Sequence, residues 1–437
     1  LPPLPDAAAA AHVASVHWKD ESGRFGLGSF KALGGAYAVM RALAVELAKR
    51  GVADSASSAD LASGKHRDAT REITVTCATD GNHGRSVAWG AQRFGCRCVV
   101  FVHPGVSKGR RDAIAAYGAE IREAPGTYDD AVRAAKREAE KSGWFVVSDT
   151  SYAGYTEPPR DVMQGYRLMA DEAADALPAP PTHVFVQGGV GGMAAAVSAQ
   201  MRARYGKDAP RLVVAEPGRA ACLLASAEAG HPVEVEGPLD TVMACLACGE
   251  PSLLAWQELE RAAYGFVSIP DGAAVDCMRA LSRRRPRIVA GESAVAGLAA
   301  LLLAGRDPFG RTALGLEEDS RVLVFGTEGA TDPALYERLV GEAAAKPPQP
   351  PSPAAAAGGP GRSGGLGLHR RADLLARRAA AVEQQAEAGL RARHRGEHQV
   401  AGRALEPLDH DAAPGGGEDD VVAGAQLGLA DDAVREG

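Results

Sequence analysis

The chain has 437 residues, 46% of them hydrophobic, which is ample for a sizeable core and longer than one average domain. A formal net charge of -7, from 55 acidic and 48 basic residues, implies no dominant basic face and argues against nucleic acid as the main partner. No apolar run is long enough to span a bilayer, and the seven cysteines form no paired zinc knuckles, since Cys245-x-x-Cys248 has no second ligand pair.

Residues 1–20 read as a short helix and a strand, Val13 to Trp18. A Gly-rich loop then meets a helix running from Lys31 to about Arg50, with Phe30, Leu33, Tyr37, Met40 and Leu43 at helical spacing. Asp54 to Arg71, rich in Ser, Ala and Asp without an apolar period, reads as a surface loop. From Ile73 strands and helices alternate. The strands are Ile73–Cys77, Cys98–Val102, Ala119–Arg122 and Phe145–Val147; the helices are Gly84–Phe94, Lys108–Tyr117 and Tyr128–Lys141. That alternation is the mark of a parallel sheet covered on both faces.

A long helix, Pro158 to Leu177, puts Met163, Tyr166 and Met169 on its inner side, and the strand His183–Val186 follows. After a glycine loop come a helix to about Arg204, the strand Arg211–Ala215, an apolar helix Ser293–Leu303 and the strand Arg321–Phe325. The expected fold is α/β, with two open twisted sheets and flanking helices. Residues 1–71 and 158–345 form a large domain, and residues 72–157 a small one. The tail 346–437, rich in Ala, Gly, Pro, Arg and Glu without Ile, Phe or Tyr, reads as disordered or artefactual, with a solvated helix at Leu374 to Arg391. The opening Leu1-Pro2-Pro3-Leu4-Pro5 lacks Met and any signal-peptide core, and reads as a truncated start that leaves organellar targeting open. A reduced, cytoplasmic compartment is otherwise the default.

Three stretches carry chemistry. Lys31 sits where a helix begins inside the fold; a lone lysine is usually solvated, but desolvation there would lower its pKa and free its amine as a nucleophile. The loop Gln187-Gly188-Gly189-Val190-Gly191-Gly192-Met193 follows a strand and opens a helix, a place suited to a phosphate monoester. It matches neither the dinucleotide nor the nucleoside triphosphate fingerprint, and a tight turn without ligand is about as common. Thr79-Asp80-Gly81-Asn82-His83-Gly84 lies at the carboxyl end of a strand, where ligands bind in open α/β sheets, and Asp149 ends another. Asp80, Asn82 and Asp149 have an alternative as Asx-turn or N-cap residues, in isolation the commoner role for the first two. Together a lysine amine, a phosphate cradle and two carboxylates fit a pyridoxal phosphate enzyme.

Residues 24–37 (Arg-Phe-Gly-Leu-Gly-Ser-Phe-Lys-Ala-Leu-Gly-Gly-Ala-Tyr), Ala78 to Arg85, Asp149-Thr150, Met163 to Tyr166 and Thr327-Glu328-Gly329-Ala330-Thr331-Asp332-Pro333 resemble diaminopropionate ammonia-lyases. These are fold type II pyridoxal phosphate enzymes, similar to tryptophan synthase β. The resemblance runs from about Leu4 to about Ala345. It implies Lys31 as the Schiff-base lysine, Asn82 on the pyridoxal 3-hydroxyl, Gly188, Gly189, Val190, Gly191 and Gly192 on the phosphate, and Thr327 facing the pyridine nitrogen. A hydroxyl there leaves that nitrogen largely unprotonated and favours β-elimination. Lys31 and Asp80 would take the α-proton from opposite faces, so both D- and L-2,3-diaminopropionate would react, and Asp80 and Asp149 would hold the second amine as a cation. Pyruvate and two ammonia would result, from an amino acid substrate on a homodimer with no metal. Serine/threonine dehydratase and an inactive pyridoxal phosphate-binding protein are the alternatives. Two small-for-small departures, Gly326 for Ser and Gly188 for Ala, leave the cradle plausible. Cys222 and Cys248 are expected near each other in the large domain as buried thiols.

Overall fold

The structure, a computed structural model, describes residues 1–344 except Asp80, Thr127 and the side chain of Asp129. The expected tail, with its helix at Leu374 to Arg391, lies outside the described residues, as does Asp80.

Helix α1 (Pro5–Ala10) and strand β1 (Ser15–Asp20) lead to α2 (Lys31–Lys49), α3 (Ser58–Ser63) and α4 (Arg67–Thr70). Then come β2 (Thr74–Ala78), α5 (Asn82–Phe94), β3 (Arg97–Val102), α6 (Lys108–Ala115), β4 (Glu120–Glu123), α7 (Tyr128–Ser142) and β5 (Phe145–Val146). The chain continues through α8 (Glu157–Ala176), β6 (His183–Gln187), α9 (Gly192–Tyr205), β7 (Arg211–Pro217), α10 (Cys222–Ala229) and α11 (Leu253–Ala262). Last are β8 (Ala263–Ile269), α12 (Asp271–Ser282), α13 (Ala296–Arg306), α14 (Pro308–Leu314), β9 (Arg321–Gly326) and α15 (Pro333–Val340).

The strands form two sheets, β1-β9-β6-β7-β8 and β4-β3-β2-β5, in which every pairing is parallel. Central strands are buried on both faces: Val184, Phe185 and Val186 are fully buried, as are Val322 through Phe325. Helices cover them, which is why these strands read as unbroken apolar runs and not as alternations.

The expected loop from Asp54 to Arg71 instead holds α3 and α4. Ser57 and Asp60 form a reciprocal capping box at the start of α3, and Leu61 is buried beneath it. One capping box and one anchoring leucine suffice for a helix too short to show a period. Strand β1 also starts at Ser15, two residues later than the expected Val13.

Helix α2 lies between α5 and α8, close enough that side chains at two contacts are excluded. A Cβ on Gly34 would come within 2.6 Å of the Val162 carbonyl oxygen, and one on Gly165 within 2.3 Å of the Leu33 oxygen. On the other flank Ser86 of α5 donates to the Lys31 carbonyl at 2.7 Å and accepts from the Ala36 amide at 3.1 Å. The head of α2 is thereby fixed between helices that belong to different sheets. Among the described residues no helix is long and apolar enough to cross a membrane, and no cluster of His, Cys, Asp and Glu could hold a metal ion.

Candidate active site

Three loops meet at the first residue of α2. The segment before it is held by the loop after β9: the Phe30 amide donates to the Thr327 carbonyl at 2.9 Å, and Gly329 donates to Gly28 at 2.9 Å. Upstream, Arg24 donates to Glu21 and to Glu172 of α8, anchoring the Gly-rich loop to that helix. Lys31 therefore sits beside Thr327 because the chain is tied there on both sides.

The Lys31 amine donates to Asp149 Oδ2, and it also lies 5.5 Å from the Phe30 ring centre and 5.8 Å from that of Tyr166. The expected lowering of its pKa is corrected here. Burial does act in that direction, but the Asp149 carboxylate and its hydrogen bond outweigh it and hold the ammonium above its ordinary value. Burial would likewise raise Asp149, and Lys31 outweighs it, holding the carboxyl well below the usual carboxylate range. In the chain alone, the nucleophile is stored as an ion pair.

Asp149 follows the short strand β5. Its neighbour Ser148 donates its amide to the Tyr155 hydroxyl at 3.1 Å, and that hydroxyl donates to the Val146 carbonyl at 2.9 Å. Beside it runs the glycine loop: a Cβ on Gly192 would lie 3.5 Å from the Asp149 carbonyl oxygen. Gly189 and Gly191 have φ of +64° and +93°, conformations that glycine adopts without penalty. Val190 accepts from the Ser252 amide at 2.9 Å, and no side chain caps the 14-residue α9 that opens at Gly192. The result is a concave loop ahead of a helix N-terminus, next to a buried amine.

Gln187, just before the loop, points its Nε2 at the carbonyls of Ala294 (2.5 Å) and Phe325 (2.7 Å), which fixes the amide orientation. The same nitrogen is 3.4 Å from Thr327 Oγ1. Both N–H groups of that amide are given to the two carbonyls and its nitrogen accepts nothing, so the Thr327 hydroxyl keeps its own proton to donate elsewhere. Asn82, the first residue of α5, donates to Glu328 at 2.5 Å and contacts the Cys245 sulfur at 3.5 Å. Lys31, Asn82, Asp149, Gly188 to Gly192 and Thr327 thus converge on one place.

Several neighbours were not expected. Glu328 and Glu292 are both buried, and Arg110 of α6 reaches Glu292 at 3.5 Å. Burial, with Glu328 next in weight, pushes Glu292 up to about 8. Behind the glycine loop Glu216 is fully buried, accepts from the amides of Leu223 and Leu224, and is pushed to about 8 by burial. A Glu in an apolar surrounding, as in Val-Val-Ala-Glu216-Pro, was the available signal. Cys222 and Cys248 do flank the same turn: Cys222 Sγ is 3.6 Å from the Gly189 oxygen, and a Cβ on Gly189 would lie 3.8 Å from Cys248 Sγ. Cys222 is buried, but Cys248 is only partly so, because it sits in the loop before α11 and not under a helix.

Residues 1–328 match the family model for pyridoxal-phosphate dependent enzymes. The diaminopropionate ammonia-lyase of Escherichia coli K12 is 39% identical over 350 residues, covering 78% of this chain and 86% of that protein. The chain belongs to the pyridoxal-phosphate dependent enzymes, among the diaminopropionate ammonia-lyases. A crystal structure of the selenomethionine-incorporated holo lyase from Escherichia coli superposes with a TM-score of 0.70 at 38% identity, covering 77% of this chain and 86% of that one. The same lyase in complex with D-serine gives a TM-score of 0.70 at 38% identity, over 78% and 86% of the two chains.

The family cofactor, pyridoxal phosphate, fits what the residues offer. The left-handed turns at Gly189 and Gly191 and the uncapped start of α9 suit a phosphate. Lys31 supplies a buried amine, and Thr327 a hydroxyl proton that Gln187 leaves available.

Proposed function

We propose that this chain eliminates the β-amino group of 2,3-diaminopropionate, D or L, to give pyruvate and two ammonia. The observation that carries the reading is the Lys31–Asp149 ion pair beside the 188–192 loop. A site that already pairs an ammonium with a buried carboxylate has a place for a second substrate amine, whereas a serine or threonine hydroxyl gains little from that charge.

Pyridoxal phosphate supplies an aldehyde for an amine to condense with and a ring that draws electrons from the attached carbon. Gly188, Gly189, Val190, Gly191 and Gly192 would hold its phosphate, Asn82 its 3-hydroxyl and Thr327 its ring nitrogen. Lys31 takes the α-proton from one face of the substrate, and Asp80 takes it from the other. Asp149, with Asp80, binds the β-ammonium and orients it for departure. Two separate sheets support a division into residues 1–71 and 158–345 as the large domain and 72–157 as the small one. Free thiols at Cys77, Cys96, Cys98, Cys222, Cys245 and Cys277 support a reducing, cytoplasmic setting, and a homodimer is proposed from the family resemblance.

Pyruvate and ammonia release should be measured with D- and L-2,3-diaminopropionate, L-serine and L-threonine. Two ammonia per pyruvate from diaminopropionate, with little product from the hydroxy amino acids, is expected. Turnover of serine or threonine alone would make the chain a dehydratase, and bound cofactor without any turnover would make it an inactive binding protein.

A further inference from the structure

His83 is buried in the first turn of α5, and its Nε2 lies 2.7 Å from the Val147 carbonyl oxygen. A carbonyl only accepts, so Nε2 carries the proton, and in the neutral ring Nδ1 is a bare lone pair. That Nδ1 has no hydrogen-bond partner, yet it is 3.8 Å from Asp149 Oδ2, the oxygen that also accepts from Lys31. Two acceptors, one buried and one partly buried, therefore face each other with space for one proton between them. A histidine needed only to brace Val147 would leave its second nitrogen in apolar surroundings, and this one is aimed at the carboxylate that holds the nucleophile.

We propose that His83 is a positioning residue that acts through Asp149 and stores the proton Lys31 must shed before its amine can act as nucleophile or base. The proposal rests on the elimination reading above. The N–H bond at Lys31 Nζ breaks as an O–H bond forms at Asp149 Oδ2; that O–H then breaks as an N–H forms at His83 Nδ1. Total charge is unchanged. Lysinium, carboxylate and neutral imidazole become amine, carboxylate and imidazolium, so Asp149 is ionised and paired at both ends of the transfer. A movement of about 1 Å brings Nδ1 to hydrogen-bond distance. Reversal returns the proton through Asp149 to Lys31 Nζ.

The titratable groups facing this pair come from four elements. Lys31 heads α2 and Tyr166 lies on α8, both against Asp149; Cys77 of β2 and Tyr155 after β5 approach Asp149 from the other side. Burial holds His83 below its ordinary value, outweighing the opposing effect of Asp149, while Lys31 adds to the lowering. Removing the lysine cation takes away one of the effects that lower His83 and leaves Asp149 as the charge beside it, so the ring should bind its second proton at a higher pH than in the wild type.

The test is nitrogen NMR of the full chain labelled with 15N-histidine at pH 7.5, the His83 signal being assigned by its loss in His83→Gln or His83→Phe. A neutral ring protonated at Nε2 is expected in the wild type. In a pH series of the same spectra, the ring should take up its second proton at a higher pH in Lys31→Ala than in the wild type, and that gain should vanish when Asp149→Asn is added. A ring that titrates no higher in Lys31→Ala than in the wild type overturns the proposal. In kinetics, His83→Gln keeps a donor for Val147 but offers no Nδ1. It should lower kcat on diaminopropionate about 10- to 100-fold with KM within about threefold; an unchanged kcat in the folded variant would also overturn it. If the wild type turns over no diaminopropionate, the elimination reading fails, and the NMR result still decides the proton store.

Discussion

Asp149→Asn removes the partner of a buried ammonium, and the structure sets bounds on the cost. The side chains of Lys31 and Asp149 are only 19% and 13% exposed, so the charge left behind is poorly hydrated. Breaking a buried pair from one side typically costs about 3–5 kcal/mol. Lys31 can escape by losing its proton, because burial, no longer opposed by Asp149, then holds it below its ordinary value. From an unfolded value near 10.4 that escape caps the loss at about 5 kcal/mol at pH 7 and about 2 kcal/mol at pH 9. The sign follows from proton binding. In the variant the unfolded chain binds the proton and the folded one does not, so stability recovers as pH rises toward 10. In the wild type Lys31 is raised, and its contribution persists below about pH 10 and fades above. Asp149 is lowered, and its contribution persists above about pH 4 and fades as pH falls. Urea unfolding of cofactor-free protein at pH 7 and pH 9 measures both. A loss at pH 9 equal to or larger than that at pH 7 would refute the reasoning.

Gly34→Ala should destabilise the chain by about 1–3 kcal/mol, because its Cβ would meet backbone of α8 and the helices must separate; thermal unfolding that matches the wild type would show that the close approach is not required. Gly191→Ala places a side chain at φ +93° and within 3.0 Å of the Ala255 Cβ, so cofactor affinity, read by equilibrium dialysis, should fall at least tenfold, about 1.4 kcal/mol. Unchanged affinity would remove this loop from the phosphate role. Thr327→Val keeps the shape of the side chain but loses the hydroxyl, and should alter the absorption of the bound cofactor with little change in stability; an identical spectrum would place the ring nitrogen elsewhere.

What was legible in the sequence follows from the range of the interactions involved. The strand from His183, the glycine loop and the helix after it are set by neighbours in the chain, and they fall within a residue or two of expectation. The state of Lys31 is set by Asp149, 118 residues away, and no local pattern reveals that the carboxylate would outweigh desolvation. For the same reason Glu292 and Arg110 give no sequence signal, and Glu328 shows only as part of its motif: their burial together needs α6 and the loops after β9 and before α13. His83 was visible inside its motif, but its unpartnered nitrogen exists only in three dimensions. Helices α3 and α4 were missed because six and four residues are too few to display a period.

The claim on which everything else depends is that Lys31 carries the cofactor. Borohydride reduction of the holoenzyme, followed by proteolysis and mass spectrometry, tests it directly. The account predicts one peptide bearing reduced pyridoxal phosphate on Lys31, and none in Lys31→Ala. Covalent cofactor on another lysine, or retained in Lys31→Ala, would contradict it.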